Sequence, residues 1–336
     1  MKSSEIQYSA KAFSHIYVEE QAYSYDTTKN ILNRFPDSHV ITINHYKDVF
    51  NRSRQDFLAQ KNSQALILAV NNGELIYPGA RVCQSFGNEH FYYTSNIMNC
   101  VFDCEYCYLQ GMYPSGNMVI FVNIEDYFDK VKELLTQHPM YICISYDTDI
   151  LAVEAITGLT ARWIEFTANN PNLTIEIRTK SAYDLKGAGF VQSDRVIYAW
   201  TLSPYEITKA YEHHTPSLAG RLNAVNQAIS MECSVRLCFD PMIYIKDYQR
   251  IYGNFYKTVF QSIDASKVQD VSLGLFRISA DYMKYMRRKR TCAITAYPYT
   301  TVNNVCSYEQ KKSDEMLNFA RLELAKYINP SKIYTD

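Results

Sequence analysis

Asn99-Cys100-Val101-Phe102-Asp103-Cys104-Glu105-Tyr106-Cys107-Tyr108 carries three cysteines in the spacing C-x3-C-x2-C, with an aromatic residue before the last. Three thiolates in one loop can hold three irons of a [4Fe-4S] cluster, which ordinarily takes four cysteines. The fourth iron then stays open to a small molecule. The competing reading is a structural zinc site. Zinc, however, usually takes four ligands from paired, short-spaced knuckles. No second C-x2-C and no neighbouring histidine accompany this triplet.

The flanks of the segment alternate between two periodicities. Residues 92–97 read as a strand that runs into it. After it, Asn123 is placed to cap a helix with Ile124, Tyr127, Phe128, Val131, Leu134 and Leu135 on one face. Residues 140–145 read as a strand, 151–168 as a helix, and 173–178 and 195–202 as strands. Ser203-Pro204 opens a helix with serine at the cap and proline in the first turn. Ser217 starts another, carrying Leu218, Leu222, Val225 and Ile229. A strand at 233–239, a helix at 247–262, a strand at 268–275 and a closing amphipathic helix at 309–327 complete the series. Upstream, 39–43 and 65–70 look like strands, and Pro78-Gly79 marks a turn. Such alternation implies right-handed βαβ units and a parallel sheet. About six units fit between 90 and 275, too few for an eight-fold barrel. The expected fold is α/β: an open, partial (β/α)6-type TIM barrel over 90–278. An N-terminal α/β extension (1–89) and a C-terminal region (279–336) flank it. The active site belongs at the C-terminal ends of the strands.

The chain of 336 residues fits about two domains or one large one. With 47% hydrophobic and 21% charged residues it is not a disordered chain. Its longest apolar runs, at 65–70 and 119–122, are far too short for a membrane span. The first residues lack the apolar stretch of a signal peptide, so a cytoplasmic protein is expected. The 34 basic and 35 acidic residues nearly cancel, which leaves only a local patch for any nucleic acid. Nine cysteines, an odd number without an export signal, speak against a disulfide framework. The 29 tyrosines supply amphipathic rings but name no function.

The cysteine loop closely resembles that of the radical S-adenosylmethionine (SAM) enzymes. In that superfamily the open iron chelates SAM, and an electron from the cluster cleaves it to methionine and a 5′-deoxyadenosyl radical. The resemblance extends to one family. Cys104-Glu105-Tyr106-Cys107-Tyr108-Leu109-Gln110 is similar to the loop of spore photoproduct lyases, where the motif runs into Tyr-Cys-Tyr-Leu-Gln. Val122-Asn123-Ile124-Glu125-Asp126 resembles their Val-Asn-Leu-Asp-Asp, and Thr148-Asp149 their Ser-Asp. Thr179-Lys180, Gly220-Arg221-Leu222 and Asp240-Pro241 fall where that family has Thr-Lys, Gly-Arg-Leu and Ala-Pro. The likeness covers about 90–275 and the last helix.

The resemblance implies a DNA-repair lyase with a radical SAM partial barrel. It would revert the methylene-bridged thymine dimer, spore photoproduct, to two thymines. The radical takes a hydrogen from C6 of the lesion, the bridge breaks, a cysteine supplies hydrogen, tyrosine quenches the thiyl, and SAM is regenerated. By position, Cys100, Cys104 and Cys107 bind the cluster. Tyr108, Thr148, Lys180 and Thr201 or Ser203 contact SAM. Plainer roles exist: a solvated lysine for Lys180, a turn residue for Thr148, a helix cap for Ser203. The implied partners are damaged DNA and an electron donor such as flavodoxin or ferredoxin, with no membrane. The implied location is the cytoplasm of the spore.

One position departs from the family. Its hydrogen-donating cysteine lies two residues before the Ser-Asp pair, where this chain has Tyr146. Cys143 is three residues away on a strand and so belongs on the opposite face. Cys238 suits a buried core thiol. Cys83, on the approach to the first barrel strand, is the preferred donor, with Tyr108 or Tyr106 as relay. The one dense basic run, 284–290, offers Arg287, Arg288, Lys289 and Arg290 to DNA phosphates, the alternative being a solvated helix face. A hairpin or loop is expected at 291–304. Competing functions are a radical SAM enzyme with another nucleic-acid or small-molecule substrate, and a non-catalytic metal-stabilised binding protein.

Overall fold

The computed structural model describes residues 13–80 and 83–335. Strands β1 (His15–Glu19), β2 (His39–Ile43) and β3 (Leu66–Ala69) come first. They are followed by β4 (Ile76–Pro78) and β5 (Phe91–Thr94). The cysteine segment contributes the short β6 (Ile97–Met98) and β7 (Asp103–Cys104), and β8 (Met118–Phe121) follows. Then come β9 (Met140–Cys143), β10 (Leu173–Thr179), β11 (Val196–Thr201), β12 (Glu212–His213), β13 (Ser234–Met242) and β14 (Val268–Leu275). The chain closes with β15 (Arg277–Ser279), β16 (Thr300–Val302), β17 (Val305–Ser307) and β18 (Ile333–Thr335).

The larger sheet has the order β18-β14-β13-β11-β10-β9-β5-β4. Its six central strands, β5, β9, β10, β11, β13 and β14, are parallel and follow chain order. This is the partial (β/α)6 barrel that the periodicity implied. β18 joins in parallel at one edge and β4 in antiparallel at the other. A second sheet runs β2-β1-β3-β8-β6. Two of its three inner strands, Leu-Ile-Leu-Ala in β3 and Met-Val-Ile-Phe in β8, are buried at every position. That is the signature of parallel strands covered on both faces.

The helices follow the apolar spacing where nothing interrupts it. Ile124–Leu135 buries Ile124, Tyr127, Phe128 and Val131. Asn123 precedes it without capping, because its amide is spent on Asn71, accepting from N at 2.9 Å and donating to O at 3.0 Å. The expected helix at 151–168 is broken into a 3-10 turn at Leu151–Val153, Glu154–Thr157 and Leu159–Ala168. Gly158, at φ 63°, supplies the left-handed kink that other residues resist. Ser217 does cap its helix, accepting from Gly220 N at 3.2 Å. Among the described residues no helix is long and apolar enough to cross a membrane.

The open barrel is closed by side chains. Gln84 Nε2 donates to Thr335 O across the gap at 3.3 Å, and Phe86 meets Tyr334 edge-on at 5.3 Å. Phe86 also lies under the guanidinium of Arg236, 3.2 Å from its ring centroid. That guanidinium is buried in the barrel and pairs with Asp270 and Glu176 while donating to Tyr141 Oη at 2.6 Å. A buried charge persists only when paired in this way.

Candidate active site

The cysteine segment leaves the top of β5 and is pinned from several sides. Asn99 takes φ 68°, and its amide donates to Ser115 O and Asn117 O, both at 2.7 Å. The Cys100 carbonyl accepts from Gln64 Nε2 at 3.1 Å and from Lys61. β7 pairs antiparallel with β12, so Cys104 is bridged to Glu212. Gln110 Nε2 holds the Cys104 carbonyl at 2.7 Å. With the backbone so fixed, all three cysteines line one cavity of about 570 Å³. Its size falls in the range of ~300–1,000 Å³ typical of small-molecule sites.

Burial pushes the three thiols up: Cys100 to about 11, and Cys104 and Cys107 above the ordinary value as well. Lys61 and Lys180 pull the other way. Three buried thiols of this kind are stable as thiolates only against a positive centre, and a metal supplies one. Among the described residues no three His, Cys, Asp or Glu side chains converge on a single ion position. A cluster that asks one sulfur of each iron suits three thiols on one cavity.

Beside the cysteines, Thr148, Asp149, Thr179, Lys180 and Thr201 line the same cavity. Asp149 is structural. It accepts from Thr179 Oγ1 at 2.7 Å, Lys180 N at 2.6 Å and Ala152 N at 3.1 Å, stapling the end of β10 to the loop after β9. Its neighbour Thr148 has a buried hydroxyl with no hydrogen-bond partner. A buried polar atom without a partner calls for an explanation, and a ligand bound beside it is one. Lys180 lies 5.5 Å from the Tyr106 ring centroid. Burial opposes its charge, but the Cys104 thiol and Glu212 carboxylate raise its pKa above that of an ordinary lysine. The donor set thus fits a cluster with a polar, carboxylate-bearing small molecule beside it.

Ser203 is not on the cavity wall, nor does it cap a helix. Its hydroxyl donates to Glu212 at 2.7 Å, and Pro204 precedes the helix Tyr205–Tyr211. Glu212 also accepts from Tyr106 and pairs with the buried Arg221. Arg221 and Lys180 hold the Glu212 carboxyl down to about 2, against the opposing effect of burial. Tyr106 faces the cavity with its ring and spends its hydroxyl in this network. Tyr108 donates to the Tyr146 carbonyl at 2.5 Å and reaches Asp147 Oδ1 at 3.4 Å.

Cys83 lines the cavity, and its thiol donates to Tyr146 Oη at 3.8 Å. Cys143 and Tyr146 both line this cavity. β9 ends at Cys143, so its two-residue alternation does not reach Tyr146. Cys238 is fully buried, as expected of a core thiol.

The basic run lies on the helix Ala280–Lys289 and divides in two. Arg287 and Arg288 are exposed, with Arg287 Nε donating to Thr295 O at 2.9 Å. Lys289 and Arg290 turn inward, which corrects their assignment to DNA. Lys289 donates to Gln110 O at 2.8 Å and to Tyr113 O. Arg290 pairs with Asp103 and Glu105 of the cysteine loop. Beyond them, the expected hairpin or loop at 291–304 holds a short helix, Ala293–Ala296, and a hairpin of β16 and β17 lies later, at 300–307, turned by Asn303 and Asn304 at φ 47° and 63°. Arg178 and Arg277, which no spacing singled out, also line the cavity, sharing Asp240 at 3.8 and 3.2 Å.

A six-stranded partial barrel with a three-cysteine loop after its first strand defines the radical SAM class. Residues 12–333 match the family model described as spore photoproduct lyase. The chain belongs to that family. The spore photoproduct lyase of Clostridium acetobutylicum is 23% identical over 260 residues, 73% of each chain. Among solved structures, a spore photoproduct lyase complexed with dinucleoside spore photoproduct aligns with a TM-score of 0.79 at 16% identity, covering 97% of this chain and 99% of that one. A doubly substituted spore photoproduct lyase with bound AdoMet and the same dinucleoside aligns at 0.78, with 16% identity and coverage of 97% and 99%.

Proposed function

We propose that this chain is a DNA-repair lyase that reverts spore photoproduct to two thymines. The observation that carries it is the gathering of the three loop cysteines, Cys83 and the partnerless Thr148 hydroxyl on one cavity, in a chain of this family. Cys100, Cys104 and Cys107 would hold a [4Fe-4S] cluster. Thr148, Lys180, Tyr108 and Thr201 would hold SAM, with Thr148 Oγ1 gaining its missing partner. When bound, the two together supply one-electron cleavage of a sulfonium and with it the acceptor for a lesion hydrogen.

The chain's own residues do the rest. The pinned backbone of the cysteine loop keeps the thiols in register without help from the ligand. Cys83 donates the hydrogen that completes the thymine product, and Tyr108 or Tyr106, on the same cavity, serves the return of the radical. Arg178 and Arg277, which share Asp240, put two guanidinium groups on the cavity wall for a phosphate of the lesion-bearing strand. The exposed face of the helix Ala280–Lys289, with Lys284, Arg287 and Arg288, contacts the DNA backbone. The hairpin beside it meets the duplex, from which the dimer must be turned out. A low-potential carrier such as flavodoxin or ferredoxin delivers the electron, and the spore interior is the working compartment.

The test is anaerobic reconstitution followed by incubation with dinucleoside spore photoproduct, SAM and a reductant. Thymine is the expected product. A protein that cleaves SAM yet leaves the lesion intact would transfer the assignment to another substrate. Cys83→Ala should abolish clean thymine formation; undiminished clean product would remove Cys83 from the donor role.

A further inference from the structure

We propose that Tyr146 is the relay next to Cys83, giving its phenolic hydrogen to the spent sulfur and being restored in turn through Tyr108. This rests on the lyase reading, in which Cys83 ends its donation as a thiyl radical. Tyr146 is the residue that breaks the family pattern, and its position gives it something to do. Its hydroxyl is the partner of the Cys83 thiol at 3.8 Å. Its ring is held flat against Tyr93, 4.0 Å between centroids at 26°. Burial, followed by the neighbouring Cys83, keeps the phenol protonated, so that a whole hydrogen atom is on offer.

On the other side, the Tyr108 ring centroid is 5.9 Å away. The Tyr108 hydroxyl donates to the Tyr146 carbonyl at 2.5 Å and lies 3.4 Å from the Asp147 carboxylate. Cys83, Tyr146 and Tyr108 all line the cavity, so the path never leaves it.

The steps balance. In the first, the S–H bond of Cys83 forms and the O–H bond of Tyr146 breaks, one hydrogen atom moving from oxygen to sulfur. In the second, an electron passes from the Tyr108 ring to the Tyr146 ring. The Tyr108 proton goes to Asp147, and the Tyr146 oxygen takes a proton from solvent in the cavity. Asp147 later returns its proton to solvent. The net result is a reduced thiol, a restored Tyr146 and a phenoxyl on Tyr108.

The relay can be tested without any cofactor. Cofactor-free protein is S-nitrosated at Cys83, with Cys83→Ser as the control for other sites, and the S–N bond is cleaved by a laser flash to leave the thiyl. Phenoxyl absorption should grow in as the thiyl decays. It should be lost in Tyr146→Phe, which keeps the ring and its stack on Tyr93, and retained in Tyr108→Phe. In reconstituted enzyme, Tyr146→Phe should still give clean thymine but consume severalfold more SAM per thymine. Unchanged phenoxyl yield in Tyr146→Phe, or an unchanged SAM-to-thymine ratio, overturns the relay. If the wild-type enzyme repairs nothing, the lyase reading fails, while the photolysis result still decides whether Tyr146 reduces the Cys83 thiyl.

Discussion

Arg290 grips both carboxylate oxygens of Asp103 at 2.6 Å, joining the end of the helix Ala280–Lys289 to the residue before Cys104. Both side chains are about nine-tenths buried, and Glu105 is a second partner at 3.4 Å. Removing one member of a buried pair leaves the other charge uncompensated, at a cost of ~3–5 kcal/mol. Arg290→Ala should therefore lower chemical-denaturation stability by about that amount and reduce the iron retained after reconstitution. Calorimetry or urea titration, with iron analysis, checks both.

Lys284→Ala combined with Arg288→Ala should behave in the opposite way. Both residues are exposed, so folding should change by less than ~0.5 kcal/mol. Affinity for lesion-bearing duplex should fall, and the slope of log K against log salt should flatten by about 1–2. Binding isotherms at three salt concentrations would show it; an unaltered slope would take the DNA off this face.

Thr148→Val separates structure from binding. The Thr148 hydroxyl makes no hydrogen bond in the protein, so its loss should leave stability unchanged or slightly improved. SAM affinity should drop by about 1 kcal/mol, roughly fivefold in Kd. Equilibrium binding to reconstituted protein measures this directly.

The acid response should report on Glu212. Its carboxyl is held at about 2, below its ordinary 4.5, so the unfolded chain binds the proton more readily. The stabilisation is complete above pH 4.5 and is lost as pH falls from there towards 2. Glu212→Gln should be less stable at pH 7, because Arg221 loses its charged partner, yet its stability should decline less steeply over that acid window. Denaturant midpoints measured from pH 7 down to pH 3 would show the two curves converging.

Much of the barrel was legible because its strands are short apolar runs between helices of clear period. The six strands fall where β-branched and aromatic residues cluster, and Val268–Leu275 matches to the residue. What escaped the pattern was governed by contacts between distant segments. Ser203 followed by proline has the form of a helix start, but Glu212 nine residues on claims its hydroxyl. Lys289 and Arg290 look like part of a cationic patch until Asp103, Glu105 and the Gln110 carbonyl are brought against them. The thiol triplet was readable because its meaning lies in local spacing. The relation of Cys143 to Tyr146 was not readable by alternation, which holds only while the strand lasts.

The seam between Gln84, Phe86 and β18 means that the two rims of the curved sheet are stitched together through Tyr334 and Thr335. Trimming the final strand should leave the parallel strands assembled yet let water reach Arg236 and its carboxylate partners from below.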